Sequence, residues 1–309
     1  MNALIYWLLR LMVAVIQTLP LRLVARLGRA VGAMAYVLGG RYRRLVLENL
    51  TLCFPEKPGT EIRQLAGETF RRIFENYACS IKTSAMSLEE LRPHLEFVGA
   101  EKIPAFEGNS GLQSRIVAVG HFGNFELYAR FGQFVPHYKC AATYRGMNQP
   151  ALDRILSRLR SRSGCRFFER RKDIAALKEA MTDSGLLLGL LADQHSVTGT
   201  RLPFFGRECS TSTAAAVFAL RYDCPLHTAI CYRTGLGQWR VEAGDEIPTR
   251  INGQPRSPAD IMLDVNRAFE QAIRRDPANW FWVHRRWKPP GKRVKRMLDG
   301  KVVKSRNPV

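Results

Sequence analysis

Apolar and polar positions divide the chain into stretches of two different periods. Over residues 61–83, EIRQLAGETFRRIFENYACSIKT, the positions Ile62, Leu65, Phe70, Ile73, Phe74 and Tyr77 recur at roughly helical spacing and predict an amphipathic helix. From residue 116 the pattern changes to short apolar runs. IVAVG at 116–120 is β-branched and ends in glycine, which predicts a buried strand, and the FELYARFGQF that follows predicts a helix. CAATY at 140–144 predicts a strand, and PALDRILSRLRSRSG at 150–164 a helix with Pro150 in its first turn and Gly164 closing it. On that helix Leu152, Ile155, Leu156 and Leu159 form the apolar stripe, while Arg154, Arg158 and Arg162 recur every four residues on the other side. Such a row is a solvated face or a docking surface for an acidic partner. KDIAALKEAMTDSG predicts a helix, LLLGLLAD at 186–193 an apolar strand, TAAAVFALRYD a helix, HTAICYRT and QWRVEAG a strand pair, and residues 257–276 a long amphipathic helix. Strands alternating with helices predict an α/β fold, a central mainly parallel sheet flanked by helices, with the last strands able to pair antiparallel.

The two ends differ from this body. MNALIYWLLRLMVAVIQTLP is strongly apolar but carries Arg10 at its middle and stops at Pro20. A central arginine costs roughly 2.5–3.5 kcal/mol on insertion scales, so the segment is a marginal membrane span. Arg22, Arg26, Arg29, Arg41, Arg43 and Arg44, interleaved with Leu, Val and Ala, suit helices lying on anionic lipid; the alternative is a core helix pair with a charged rim. The expected division is a membrane-associating helical segment over 1–43, a catalytic body over 44–290 and a basic tail over 291–309. Removal of residues 1–30 is expected to leave that body folded.

Composition adds the sign of the partner. With 47 Lys+Arg against 27 Asp+Glu in 309 residues, the formal charge of +20 favours an anionic membrane, nucleic acid or an acidic protein. Seven scattered cysteines without a C-x-x-C pair suggest neither a disulfide framework nor a zinc site, and fit a reducing compartment.

The chemistry gathers at VGHFGNFEL. His121 follows a predicted strand directly, where ligands collect in α/β sheets, and Glu126 comes five positions later. Gly120 and Gly123 permit a tight turn through which Glu126 can fold back on the imidazole. A carboxylate on one ring nitrogen fixes the tautomer and raises the basicity of the other, as a general base requires. On spacing alone the same pair is also compatible with a structural histidine.

HFGNFE resembles the H-x-x-x-x-D/E box of the lysophospholipid acyltransferase superfamily, and in particular the bacterial lipid A late acyltransferases. Further blocks follow in the family's order: RLVLENLTLCFPE at 44–56, TYRGMNQPALD at 143–153, LADQHSVTGTRLPFFG at 191–206, Cys224-Pro225, and NWFWVHRRWKP at 279–289. The resemblance implies a glycerolipid-acyltransferase-like fold and transfer of a fatty acyl group from an acyl thioester, carried by acyl carrier protein or coenzyme A, to a hydroxyl of a lipid A precursor at the cytoplasmic face of the inner membrane. It implies His121 as general base oriented by Glu126, direct attack without an acyl-enzyme, no bound cofactor and no nucleophilic cysteine. Its partners would be the anionic membrane surface, the glycolipid acceptor and acyl carrier protein, and no nucleic acid. Gly146 stands where many members carry proline and His195 where an acidic residue is common, departures that bear on acceptor recognition.

Other residues carry alternatives. Arg145, just past CAATY, is read as an acceptor ligand through its planar fork, with Asn148 as accessory, against a surface salt bridge. Asp193 and Gln194 end the apolar strand and serve either the site or the cap of the following turn. Asp193 and His195 alone make no ligand set, so no metal is expected. The rings and cations of residues 280–288 suit the headgroup layer, single-stranded nucleic acid, or a buried aromatic core with Arg285 and Arg286 near the site. The competing functions are acylation of another lysophospholipid or glycolipid and, from a different class, nucleic-acid binding.

Overall fold

The computed structural model describes residues 2–103, 112–147 and 149–288. Asn148 and the basic tail over 291–309 lie outside the described residues. Four helices come first: α1 (Asn2–Thr18), α2 (Leu21–Leu38), α3 (Gly40–Cys53) and α4 (Gly59–Thr83), then the single turn α5 (Leu88–Leu91). The body holds β1 (Leu95–Val98), β2 (Arg115–Val119), β3 (Lys139–Tyr144), α6 (Pro150–Arg160), β4 (Arg166–Glu169), α7 (Ile174–Ala180) and β5 (Leu186–Leu191). After these come β6 (Thr200–Phe204), β7 (Arg207–Thr211), α8 (Ala214–Arg221), β8 (Leu226–Gly235), β9 (Gln238–Ala243), β10 (Arg250–Ile251), β11 (Gln254–Pro255) and α9 (Pro258–Arg275).

Seven strands form one sheet in the order β1-β9-β8-β2-β5-β3-β4. All neighbours are parallel except β8 and β9, which form the antiparallel pair expected from HTAICYRT and QWRVEAG. The α/β architecture expected from the hydrophobic pattern is thus present. β2 is buried at all five positions, because helices cover both of its faces. Core residues divide accordingly into a cluster with Ile116, Ala118, Leu188 and Phe269 on one face and another with Val117, Val119, Leu187 and Val241 on the other.

FELYARFGQF departs from expectation, for Phe125–Gln133 is a 3-10 helix. This tighter spiral rises about 2.0 Å per residue against 1.5 Å in an α-helix. The segment is pinned along its length: the Tyr128 hydroxyl accepts from Cys231 N–H at 2.8 Å, and Arg130 donates to the carbonyls of Thr83 at 3.0 Å and Met86 at 2.9 Å.

The N-terminal helices also differ from the simplest reading. α2 lies tightly on α4, where a Cβ on Gly28 would come within 2.8 Å of the Glu75 backbone and one on Gly32 within 2.5 Å of Phe70 O. Leu21, Val24 and Ala25 are buried in this contact. Arg29 donates to Glu68 at 3.0 and 2.9 Å and to the fully buried Glu75 at 3.2 Å, and Arg233 of β8 donates to Glu75 at 2.8 Å. Removal of residues 1–30 would strip this cover and leave Glu75 short of a partner, so α2 is packed as part of the body rather than as a detachable segment. No described helix is long and apolar enough to cross a membrane. Leu4, Trp7, Leu8 and Leu11 of α1 and Val31, Met34 and Leu38 of α2 nonetheless stand exposed.

Candidate active site

β2 and β5 lie side by side, with Val119 opposite Leu191 and Ala192 N–H donating to Val119 O at 3.0 Å. Two positions beyond that pair stand His121 and Asp193. Parallel register therefore brings the two side chains together. His121 Nδ1 lies 2.8 Å from Asp193 Oδ1, the His121 backbone N–H donates to Asp193 Oδ2 at 2.8 Å, and Trp280 Nε1 donates to the same oxygen at 2.8 Å. Burial of Asp193 resists its ionisation, but the positive charge His121 can carry and the hydrogen bonds from its ring and backbone outweigh this. The carboxyl is held well below the usual carboxylate range. An ionised Asp193 accepts, so Nδ1 carries the ring proton. The Nε2 lone pair is then free, with no protein partner among the described residues.

Two glycines make the turn possible. A Cβ on Gly120 would sit 2.5 Å from the Phe122 ring and 3.2 Å from Asp193 Cβ; Gly123 has φ +51° and a Cβ there would meet Cys231 O at 2.5 Å. The turn is fastened to the closing segment, since Gly123 N–H donates to Asn279 O at 2.9 Å and Phe281 N–H to His121 O at 3.0 Å.

Glu126 does not reach the imidazole. Its carboxylate is gripped by Arg160 of α6, Nε to Oε2 at 2.9 Å and Nη2 to Oε1 at 2.6 Å. The Phe125 ring instead packs edge-on against the imidazole, with centroids 4.8 Å apart. The cause is the tight turn into the 3-10 helix, which gives the ring face to Phe125 and turns Glu126 toward α6. Glu126 still belongs to the neighbourhood: it borders the small cavity containing His121 and, with Arg160, a narrow apolar cleft walled by Val119, Phe131, Ala141, Leu187, Gly189 and Ala229. The remaining expected residues are more scattered. Arg145 is exposed past the end of β3 and borders neither space, and Gln194 contributes its backbone carbonyl to Arg286 at 3.3 Å.

Arg160 escaped the sequence reading, whereas for Trp280 and Arg286 the structure selects among the alternatives it left open. Arg160 sits on α6 between the flagged Arg158 and Arg162, one more cation in an arginine-rich helix with nothing to mark it. Trp280 and Arg286 lie in the closing segment, whose rings prove to be core: Trp280, Trp282 and Arg286 are buried. Arg286 donates to Ser210 O at 2.7 Å and Thr211 Oγ1 at 2.8 Å and lies over the Phe204 ring at 5.2 Å. Burial presses its pKa down, opposed by Cys209 and Asp193, so a cation without a contacting carboxylate stands behind the Asp193 strand end. Burial likewise pushes His284 down to about 4 despite the Asp193 carboxylate nearby, which keeps that ring neutral. The thiols of Cys140 and Cys165, both bordering the cleft, are pushed up to about 12 by burial and hold no thiolate near neutrality.

The family model for the bacterial lipid A biosynthesis acyltransferase matches residues 1–289. The chain belongs to this family. Among individual relatives it is 25% identical over 284 residues to the lipid A biosynthesis palmitoleoyltransferase of Escherichia coli K12, covering 87% of this chain and 86% of the relative. It is 25% identical over 297 residues to the lauroyltransferase of the same organism, covering 92% of each. It is 29% identical over 154 residues to the myristoyltransferase, covering 49% of this chain and 45% of that protein. The lipid A acyltransferase resemblance read from the sequence blocks is thereby borne out, and the chain is an acyltransferase of lipid A biosynthesis.

Proposed function

We propose that the enzyme transfers a fatty acyl group from an acyl thioester to a hydroxyl of a lipid A precursor at the inner face of the cytoplasmic membrane, with His121 as general base. The observation that carries this reading is the His121–Asp193 contact, which sets the imidazole in the tautomer whose Nε2 can accept a proton. As the acceptor oxygen attacks the thioester carbonyl, its proton passes to Nε2 and the carbonyl carbon gains an O–C bond. The C–S bond then breaks, and the departing thiolate takes the proton back from the imidazolium. Asp193 stabilises that imidazolium. Glu126 acts at one remove, its ion pair with Arg160 fixing the 3-10 helix and the Phe125 ring against the imidazole. The apolar cleft beside them suits the hydrocarbon chain of the donor. Donor thioesters of acyl carrier protein and of coenzyme A are both compatible with that geometry. The relatives' names specify palmitoleoyl, lauroyl and myristoyl groups at similar identity, so chain length rests on the cleft rather than on kinship.

The test is steady-state transfer to a lipid A precursor. His121→Ala should lower the rate by ~10²–10⁴ without loss of folding, as expected for removal of a positioned base. Glu126→Gln should have a smaller effect, since it weakens a support rather than the base. A folded His121→Ala protein as fast as wild type would overturn the assignment.

Membrane attachment is proposed to reside in the exposed apolar faces of α1 and α2, bordered by the exposed Arg22, Arg26, Arg41 and Arg44. Deletion of residues 2–18 should shift the enzyme toward the soluble fraction while its thermal melt changes little; unaltered partition would count against this role for α1. The place of these arginines beside an apolar face favours a lipid surface over nucleic acid as their partner.

A further inference from the structure

A cleft of about 340 Å³ lies between α1 and α6, apart from the catalytic cavity. Arg10, Arg158 and Arg162 border it, Val13, Ile155 and Leu159 contribute apolar wall, and no carboxylate takes part in its lining. None of the three guanidinium groups has an acidic partner among the described residues. Arg158 makes only a long contact to the Tyr6 hydroxyl at 3.5 Å, and Arg154 is drawn over the Tyr6 ring at 5.0 Å, which ties α1 to α6 at the cleft's side. Arg29, Arg72, Arg160, Arg233 and Arg256, by contrast, each hold a carboxylate. The cleft therefore concentrates uncompensated positive charge.

We infer that this cleft binds the phosphate of an anionic phospholipid headgroup from the bilayer. The inference rests on the proposed membrane attachment through α1. Arg10 is the only charged residue of that helix, and a lone cation among apolar residues at a lipid surface is stabilised when its guanidinium reaches a phosphate. Guanidinium groups bind phosphate oxygens through paired N–H donors, and three of them converging on a recess match one phosphodiester better than a broad protein surface. Arg158 and Arg162 stand exposed at the rim of a concavity and Arg10 is half-buried in its wall, on the helix bearing Trp7 and Leu8 toward solvent, a recess that admits a small headgroup rather than a protein surface. Arg160, on the same helix as Arg158, holds Glu126. A lipid phosphate in the cleft thus braces the helix that supports the catalytic neighbourhood.

The experiment is co-sedimentation of the full-length enzyme with vesicles of phosphatidylcholine alone and of phosphatidylcholine with phosphatidylglycerol, for wild type, Arg158→Gln/Arg162→Gln, Arg10→Gln and a charge-matched control, Arg170→Gln/Arg207→Gln. Wild type should prefer the anionic vesicles. At ~1 kcal/mol per arginine at such a surface, Arg10→Gln should reduce that preference about fivefold and the double variant about thirtyfold, while binding to neutral vesicles stays unchanged. Equal losses in the control pair would reduce the effect to diffuse charge and overturn the cleft. Retained anionic preference in the folded double variant would also overturn it, and if that variant instead lost binding to acyl carrier protein, or showed a raised KM for the phosphorylated acceptor in detergent, the arginines would be reassigned accordingly. Wild-type binding to neutral vesicles with no anionic preference would sink this inference alone, whereas binding to neither would remove the membrane reading with it.

Discussion

Asp193→Asn should be the most damaging conservative change in the enzyme, lowering turnover by ~10³–10⁴, the scale known for loss of the aspartate in a Ser-His-Asp site, with little effect on KM. All three partners of the carboxylate are donors: the His121 backbone N–H, the His121 ring and the Trp280 indole. An asparagine offers one accepting oxygen and one donating NH2. The arrangement that loses fewest hydrogen bonds keeps the oxygen toward His121 N–H and Trp280 and turns the NH2 toward Nδ1. The ring must then accept at Nδ1 and carry its proton on Nε2, where it can no longer act as a base. The pH dependence has a defined sign. Because the folded pKa of Asp193 lies below its unfolded value of about 3.9, its contribution to stability is present above that pH and lost as pH falls toward the folded pKa. The variant should therefore show a shallower loss of stability in acid below about pH 4. Kinetics near wild type in the variant would remove Asp193 from the mechanism.

Glu75→Gln should be the corresponding loss in stability, roughly 3 kcal/mol, the low end of what breaking a buried ion pair costs. Glu75 has no exposed surface and accepts from Arg29 at 3.2 Å, Arg233 at 2.8 Å and the backbone of Gly237 at 3.3 Å. A glutamine of the same shape must present an NH2 to at least one guanidinium. The figure stays at the low end because Arg29 and Arg233 keep 26% and 15% of their side-chain surface and are partly rehydrated where they stand. For a chain of this size the melting temperature should fall on the order of 5–10 °C. Pairing the change with Arg233→Met should recover part of the loss, since a buried charge without a partner is what costs most. A melt within a degree of wild type would show that the network carries no net stability.

Much of the site was legible, and what was missed has identifiable causes. Of the two most apolar strands, IVAVG is followed directly by His121 and LLLGLLAD ends in Asp193, and once they are neighbours in parallel register His121 must meet Asp193. Adjacency of β2 and β5 is the one fact the linear pattern does not contain, because residues 120–185 intervene and the sheet order is set by packing. Glu126 is the converse case. Spacing brought it near His121, but whether five residues return a side chain to the ring depends on the pitch of the helix that follows, and hydrophobic periodicity does not separate an α-helix from a 3-10 helix in nine residues. The β6–β7 hairpin was also invisible, its strands being short and carrying Pro203 and charged residues. Arg286 shows the limit of composition: among the cations of RRWK nothing marks it as the buried one, since the acceptors that hold it come from Ser210 and Thr211.

The closing segment imposes an order in time. Phe122 bridges to Trp280 across the sheet end, and Trp280 reaches Asp193, which precedes it by 87 residues. A growing chain emerges from the ribosome at ~5–20 residues per second, so Asp193 waits roughly 4–17 s for its indole partner. Until then the carboxylate lacks one of its three donors and the His121 turn lacks its fastening. Catalytic competence thus arrives after nearly the whole body has been made, and the N-terminal helices have left the ribosome long before the site they precede is complete.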